Sequence, residues 1–231
     1  MSNLLEQKFS AVWAEALSEC VDLQKFTLLG REINEKRKVG IIYPAPNEVF
    51  RAFELTDYNE IKVVLLGQDP YHDGTADGLA FSGSKCTTKC PKSLSIILKE
   101  IKRSELPYKE EIFTGKLDPW DLSRWAKQGV LLLNTALTVE EGKPGCHKIL
   151  WTPFIKQVVG CINKLPDIVW LLLGNEAKMF SPLITNSSHQ VVETYHPAAD
   201  LYSGQNKFYT SDCFVKVNEC LNAVNKKGII W

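Results

Sequence analysis

The chain has 231 residues, of which 45% are hydrophobic and 23% are charged, and its 27 basic and 27 acidic side chains cancel. A chain of this size can bury a sizeable core, so we expect residues 1–231 to form a single domain, with residues 1–40 as its N-terminal helical part. The zero net charge excludes nucleic-acid binding through overall charge, so any such binding needs positive side chains that are concentrated locally.

No targeting or membrane signal is visible in the sequence. The N-terminus lacks the basic and apolar regions of a signal peptide, and no apolar run has the length of a transmembrane helix. The seven cysteines are an odd and scattered number, which favours reduced thiols. We therefore expect a soluble monomer without a membrane partner. Its location would be cytoplasmic, or nuclear if the protein comes from a eukaryote or from a virus that replicates in the nucleus.

Helical patterns alternate with short apolar runs along the chain. The predicted helices span residues 4–29, 46–56, 91–100, 152–163 and 209–225, and the predicted strands span 61–67, 129–134, 168–174 and 189–196. This alternation predicts an α/β fold, a single domain with three α/β/α layers around a central four-stranded parallel sheet. The strands end on glycine or on a polar residue, so polar groups from distant segments meet at one sheet edge, where ligands bind.

The first predicted strand runs directly into a loop that is rich in chemically active side chains. Residues 67–82 read GQDPYHDGTADGLAFS. Asp69, directly after the strand, could be a turn cap or a catalytic carboxylate. A metal site built from Asp69, His72, Asp73 and Asp77 is an alternative, but their spacing matches neither a zinc pair nor a calcium loop.

Two more polar residues end predicted strands. A buried Asn134 must satisfy one acceptor and two donors, so it either stabilises the next turn or binds a polar ligand. His196, taken alone, is more typical of a satisfied core histidine than of a catalytic group. Whether Asn134 and His196 have a structural or a functional role therefore has to be judged from the motifs around them.

The loop and four further motifs resemble the main cellular and viral family of uracil-DNA glycosylases, family 1. The further motifs are Ile42-Tyr43-Pro44 with Phe50 and Phe53, residues 125–135 reading WAKQGVLLLNT, residues 172–175 reading LLGN, and His196-Pro197. The similarity covers about residues 40–231, and such an ordered set is far more specific than one short motif. The resemblance implies an enzyme of base excision repair that flips uracil out of single- and double-stranded DNA. It would hydrolyse the N-glycosidic bond without a metal or other cofactor.

The resemblance also implies two catalytic residues. Asp69 would position and activate the attacking water and offset the positive charge that forms on the sugar. His196 would donate a hydrogen bond to uracil O2 as negative charge grows there. Groups held ready for charges of the transition state are usually the largest contribution to catalysis.

Four residues would form the uracil pocket. The backbone of Gln68 would help to bind the base, Phe81 would stack on its face, and Tyr71 would exclude the methyl group of thymine. Asn134 would read the base edge, because a fixed carboxamide can accept from N3–H and donate to O4 of uracil. Cytosine presents the opposite pattern at these atoms and would be rejected.

The segment that would contact DNA departs from the family. The usual inserting loop reads His-Pro-Ser-Pro-Leu-Ser, whereas residues 196–201 read HPAADL. Asp200 replaces the leucine that fills the vacated base position, and Leu201 follows one place later, so either residue could occupy that position. The predicted DNA contacts are Ser93, Asn175, Pro197, Ala198, Asp200 and Leu201. Residues that could compensate for the missing serine hydroxyls are Lys85, Lys89, Lys92, Lys148, Lys207, Tyr202 and Phe208.

Two other functional classes stay open at this stage. The acids between residues 69 and 77 could belong to a metal-dependent nuclease or nucleoside hydrolase. The altered segment 198–201 could belong to a DNA-binding subunit that has kept the pocket without the activity. A protein inhibitor that mimics DNA is a further possible partner of a glycosylase.

Overall fold

The structure is a computed structural model that describes residues 4–84, 90–106 and 118–231. The strands in these residues are β1 Ile42–Tyr43, β2 Val63–Gly67, β3 Val130–Asn134, β4 Val139–Glu140, β5 Val169–Leu173 and β6 Gln190–Thr194. The α-helices are α1 Ala11–Ser18, α2 Leu23–Val39, α3 Arg51–Leu55, α4 Lys92–Arg103, α5 Ser123–Ala126, α6 Lys148–Ile162, α7 Asn175–Lys178, α8 Ala199–Ser203 and α9 Cys213–Ala223. Short 3-10 helices cover Pro46–Glu48, Tyr58–Glu60 and Ser181–Leu183.

A four-stranded parallel sheet in the order β3-β2-β5-β6 forms the centre of the fold, and helices flank it. This confirms the predicted α/β class and all four predicted strands of the sheet. Every residue of β2, β3 and β5 is buried, as their unbroken apolar runs predict. The edge strand β6 instead alternates between buried and exposed residues in its second half.

The N-terminal helical region differs from its prediction. One helix over residues 4–29 is wrong, because the structure has α1 and α2 with a break between them. The Asp22 carboxylate accepts hydrogen bonds from the backbone N–H groups of Gln24 and Lys25, so it begins a new helix at that point. The first helix is held to the rest of the fold by Trp13, whose indole N–H donates to the carbonyl of Thr56 at 2.8 Å.

The sequence did not reveal two other features, the start of α6 and the pairing of β1 with β4. Helix α6 begins at Lys148, four residues before the predicted start, and Pro153 lies inside it. Strands β1 and β4 pair antiparallel in a small separate sheet, although two-residue strands carry no periodic signal. None of the helices in the described ranges is long and apolar enough to cross a membrane.

Candidate active site

The carboxyl ends of β2 and β3 bring the first polar residue of the site into place. Gly67 and Asn134 are register partners at the last position of these strands. A Cβ atom at Gly67 would lie 2.6 Å from Asn134 Oδ1 and 2.8 Å from Cε2 of Phe81. Gly67 therefore has to be a glycine for the Asn134 carboxamide and the Phe81 ring to meet beside it.

The loop after β2 returns to the sheet and presents two aromatic residues. Phe81 has a φ of +62°, which L residues rarely adopt, and it is buried. The Tyr71 hydroxyl donates to the Phe81 carbonyl at 3.2 Å, and the Ala80 N–H donates to the Leu132 carbonyl of β3. These bonds hold both predicted pocket aromatics against the strand ends.

Asp77 holds the second half of this loop together. Its carboxylate is 1% exposed and lies 3.0 Å from the Arg51 guanidinium. It also accepts from the hydroxyls of Ser82 and Ser84 and from the backbone N–H groups of Leu79 and Ser84. The sequence suggested Asp77 only as a metal ligand, but its charge is neutralised and its lone pairs are used inside the protein.

The other acids of the loop are not grouped around a common centre either. The Asp73 carboxylate accepts from the backbone N–H and the hydroxyl of Thr75. In the part of the chain that the structure describes, no three His, Cys, Asp or Glu side chains are arranged to hold a metal ion.

Asp69 follows the carboxyl end of β2 by two residues and is half-buried, so burial disfavours its charge. Burial is the main cause that raises the pKa of the Asp69 carboxyl, and the nearby Glu176 carboxylate raises it further. The Gly145 backbone N–H donates to Asp69 Oδ2 and opposes this rise in pKa, as does the electrostatic interaction with the nearby His72. A partly desolvated carboxylate that is oriented by a backbone donor is suited to general-base or electrostatic catalysis.

The segment that carries Gly145 is tied to the rest of the site by several bonds. The Gly142 N–H donates to the His72 carbonyl, so this segment lies directly on the Asp69 loop. The Thr138 hydroxyl is 2.9 Å from His147 Nδ1 and accepts from the Trp151 indole at 2.7 Å. Gly145 could not be identified from the sequence, because a backbone N–H donor leaves no side-chain signal.

His196 approaches the pocket from the end of β6. Gly174 has a φ of +91°, and a Cβ there would lie 2.8 Å from the Cβ of His196. The Ala198 N–H donates to His196 Nδ1 at 3.1 Å, so the proton of a neutral ring is on Nε2. Burial lowers the pKa of His196, which favours this neutral form. Its ring lies 5.6 Å from the Phe81 ring, centroid to centroid.

The site leaves some polar groups available to a ligand. Among the described residues, neither the Asn134 carboxamide nor His196 Nε2 has a protein hydrogen-bond partner. The Gln68 carbonyl, by contrast, accepts from the Thr135 hydroxyl and the Ala136 N–H, which joins it to the end of β3. A planar ligand with both acceptors and donors on its edge would satisfy the free groups.

The predicted DNA contacts occupy three separate places. Ser93 is buried in the first turn of α4, and Asn175 is the exposed first residue of α7, directly after Gly174. Pro197 is buried, and Ala198 precedes α8, so both continue the backbone from His196.

Asp200 is turned toward the protein. Its carboxylate accepts from the Phe208 N–H at 3.1 Å and from the Tyr209 N–H at 2.8 Å. It therefore closes the loop that follows α8 and is not free to point outward. The next two side chains are the exposed ones, since Leu201 is 47% exposed and Tyr202 is 87% exposed.

The residues proposed to compensate for the missing hydroxyls have mixed outcomes. Phe208 as a DNA contact is wrong, because its side chain is completely buried and packs near Phe214. Lys148 forms an ion pair with Glu176. Lys92 begins α4 and Lys207 is exposed, while Lys85 and Lys89 lie outside the described residues.

Comparison with known proteins gives a consistent family. A profile of the Uracil DNA glycosylase superfamily matches residues 53–222. The chain is 42% identical to a uracil-DNA glycosylase of Borrelia duttonii over 230 residues, 97% of this chain and 99% of that protein. It is 38% identical to uracil-DNA glycosylase 1 of Listeria innocua over 225 residues, 95% of this chain and 96% of that protein.

Two solved structures share the fold. The crystal structure of mimivirus uracil-DNA glycosylase matches with a TM-score of 0.85 at 24% identity, over 99% of this chain and 89% of that chain. A variant mimivirus protein in complex with UGI matches equally well, with a TM-score of 0.85 at 25% identity, over 99% and 90% of the two chains.

The raised pKa of Asp69 predicts that this residue destabilises the folded protein at neutral pH. A carboxyl with a raised folded-state pKa favours folding below its ordinary pKa, and that contribution is lost as the pH rises through the raised value. Asp69→Asn keeps an oxygen for the Gly145 N–H and should raise Tm at pH 7 by a few degrees, where 1 kcal/mol corresponds to about 2–4 °C. The gain should shrink as the pH is lowered.

Thermal unfolding of both proteins across the acidic range measures this difference. Asp73→Asn is the matched control, because it changes an exposed carboxylate of the same loop. An unchanged or lower Tm for Asp69→Asn at pH 7 would contradict the assignment of a desolvated carboxylate.

Proposed function

This chain belongs to the uracil-DNA glycosylase superfamily, and from that membership we propose that it hydrolyses the N-glycosidic bond of deoxyuridine in DNA. The products are free uracil and an abasic site, which is the first step of base excision repair. The observation that carries the proposal is the meeting of Asp69, Asn134 and His196 at one sheet edge, with the ring of Phe81 next to Gly67 and His196.

The charges of the reaction match the groups of the site. Breaking the bond leaves positive charge on the sugar and negative charge on uracil. The Asp69 carboxylate, held by the Gly145 N–H, offsets the first charge and activates the attacking water. The neutral His196 ring donates its Nε2–H to uracil O2, and no proton has to leave the enzyme for this bond to form.

Uracil is selected by shape and by hydrogen bonding. The Asn134 carboxamide accepts from N3–H and donates to O4, and the Gln68 N–H donates to the base, since its carbonyl is already used. Phe81 stacks on the base face. Tyr71, held by the Phe81 carbonyl, fills the space at C5 that a thymine methyl would need.

The DNA partner and the setting of the enzyme complete the proposal. The enzyme acts as a monomer on single- and double-stranded DNA that contains uracil, in whichever compartment holds that DNA. Ser93, Asn175, Pro197 and Ala198 contact the strand, and Leu201 instead of Asp200 enters the vacated base position. One of the matched mimivirus structures is a complex with UGI, so we also propose that a protein that mimics DNA can occupy this face.

Uracil release from a labelled oligonucleotide, measured with a chelator present, tests the function. Free uracil and an abasic site in equal amounts support it. Strand cleavage that the chelator abolishes would identify a metal-dependent nuclease. Tight binding of the oligonucleotide without any release would identify a DNA-binding subunit.

Two substitutions test the catalytic residues. Asp69→Asn and His196→Ala should each lower kcat by about 10²- to 10³-fold with a much smaller change in KM, because each removes stabilisation of a transition-state charge. In the wild type, the acid limb of kcat should lie above the ordinary carboxyl range, since the pKa of Asp69 is raised.

Single-turnover rates across the pH range separate the two roles. The acid limb should persist in His196→Ala and disappear in Asp69→Asn. Near-normal turnover in either variant would overturn the assignment of that residue.

Two further substitutions test base selection. Tyr71→Ala should open space at C5 and permit slow release of thymine, and Asn134→Asp should admit cytosine, because a protonated or reoriented acid presents a different edge. Tyr71→Phe keeps the ring and removes the hydroxyl that donates to the Phe81 carbonyl, so it should retain selectivity. Base release is measured on oligonucleotides that differ only in the target base. Strict uracil selectivity in the first two variants would show that other groups read the base.

The exposed segment after His196 predicts a substrate-dependent effect. Ala198 and Leu201 lack the hydroxyls that would bind phosphate, so the enzyme should prefer single-stranded DNA, which needs no helix opening. Leu201→Ala should lower activity on duplex DNA more than on single strands. Asp200→Ala should impair both substrates alike, because it releases the N–H groups of Phe208 and Tyr209.

Matched single- and double-stranded oligonucleotides measure this ratio, with Tyr202→Ala as the comparison. A duplex-specific loss in Tyr202→Ala, with Leu201→Ala unaffected, would show that Tyr202, and not Leu201, enters the vacated base position.

A further inference from the structure

An exposed tyrosine between two lysines lies beside the active site. The Tyr195 ring is 47% exposed, and its centroid lies 5.3 Å from Lys178 Nζ and 5.0 Å from Lys207 Nζ. Both distances are within the range of a cation–π contact. The ring therefore attracts both ammonium groups, which offsets part of the repulsion between them.

Each member of this cluster is fixed to an element of the active site. Tyr195 is the residue before His196, and adjacent Cα atoms are about 3.8 Å apart. Lys178 is the last residue of α7, the short helix that begins at Asn175. Lys207 precedes Phe208, whose N–H is held by the Asp200 carboxylate. The cluster thus keeps a defined place relative to the uracil pocket.

The positive charge of the cluster is not neutralised by the protein. In the described part of the chain, neither Lys178 nor Lys207 forms an ion pair. Two acids on the adjoining elements have other partners, since Glu176 pairs with Lys148 and Asp200 accepts backbone N–H groups. The exposed Glu193 of β6 forms no ion pair with Lys178 or Lys207 in the residues that the structure describes. In a chain with zero net charge, two unpaired cations gathered at the catalytic edge are a local positive site.

We propose that Lys178, Tyr195 and Lys207 form a phosphate clamp for the DNA strand, outside the phosphates that adjoin the excised nucleotide. The clamp rests on the proposed function and supplies side-chain contacts to phosphate that Ala198 and Leu201, which lack hydroxyls, cannot make. Each ammonium donates to phosphate oxygens, and the ring keeps both groups in place before DNA arrives. The negative charge of a phosphate complements the two ammonium groups, and every single strand presents a phosphate at each nucleotide.

The double variant Lys178→Gln with Lys207→Gln tests the clamp. On a single-stranded uracil oligonucleotide that spans the whole catalytic face, KM should rise about tenfold with kcat unchanged. The slope of log(kcat/KM) against log[salt] should become shallower by about 0.7 for each phosphate that the variant no longer binds. A uracil trinucleotide has only the adjoining phosphates, so the double variant should process it like the wild type.

Lys127→Gln with Lys227→Gln is the matched control. Both lysines are exposed and line one cavity at the opposite end of the sheet, before β3. This control should keep the wild-type KM and salt slope. Tyr195→Phe should also behave as the wild type, whereas Tyr195→Leu should weaken binding, because it removes the ring that holds the ammonium groups.

Binding of a uracil-free single strand separates the clamp from the catalytic proposal. Its salt dependence measures the phosphate contacts even if no uracil is released, so failure of the function leaves this test intact. A double variant with the wild-type salt slope would overturn the clamp. So would an equal loss of affinity in the control pair, or an equal rise of KM on the trinucleotide.

Discussion

The active site depends on the absence of a side chain at the ends of two central strands. Gly67 ends β2 beside Asn134, and a Cβ there would overlap the Asn134 carboxamide and the Phe81 ring. Gly174 plays the same part after β5, where a Cβ would press on His196. Because the four strands are parallel, these openings lie along one edge. Residues that are far apart in the chain can therefore surround a single planar ligand.

Burial then sets the charge state of the groups that meet there. The same desolvation raises the pKa of the Asp69 carboxyl and lowers the pKa of His196, so it works against charge on both. Backbone N–H groups then act differently on the two side chains. The Gly145 N–H stabilises the Asp69 anion, whereas the Ala198 N–H donates to His196 Nδ1 and so places the proton of the neutral ring on Nε2. The outcome is one oriented anion and one neutral donor, which suits a reaction that separates charge without a net proton transfer at the histidine.

The hydrogen-bond and ion-pair partners of the acids on the catalytic face give some of these acids a structural role. Asp77 is neutralised by Arg51 and holds the loop that presents Phe81, and Asp200 closes the loop after α8. The charge of Asp77 is thereby neutralised, and the carboxylate of Asp200 is turned inward, although both lie in segments next to the pocket. This arrangement lets a protein of zero net charge present a positive surface to DNA at one place, where Lys178 and Lys207 meet at Tyr195.

The sequence by itself determined the sheet and the family resemblance. Unbroken apolar runs predicted β2, β3 and β5, and the loop at 67–82 with Asn134 and His196 predicted the pocket. Both predictions were possible because apolar runs and motif spacing are written in the local sequence. Tertiary structure alone decided the break at Asp22, the Asp69–Gly145 bond, the inward turn of Asp200 and the ammonium groups around Tyr195. Each of these is a contact between segments, or a choice between local hydrogen bonds of similar strength. Such choices follow from which groups the folded chain brings within reach, and no periodic pattern of residues records them.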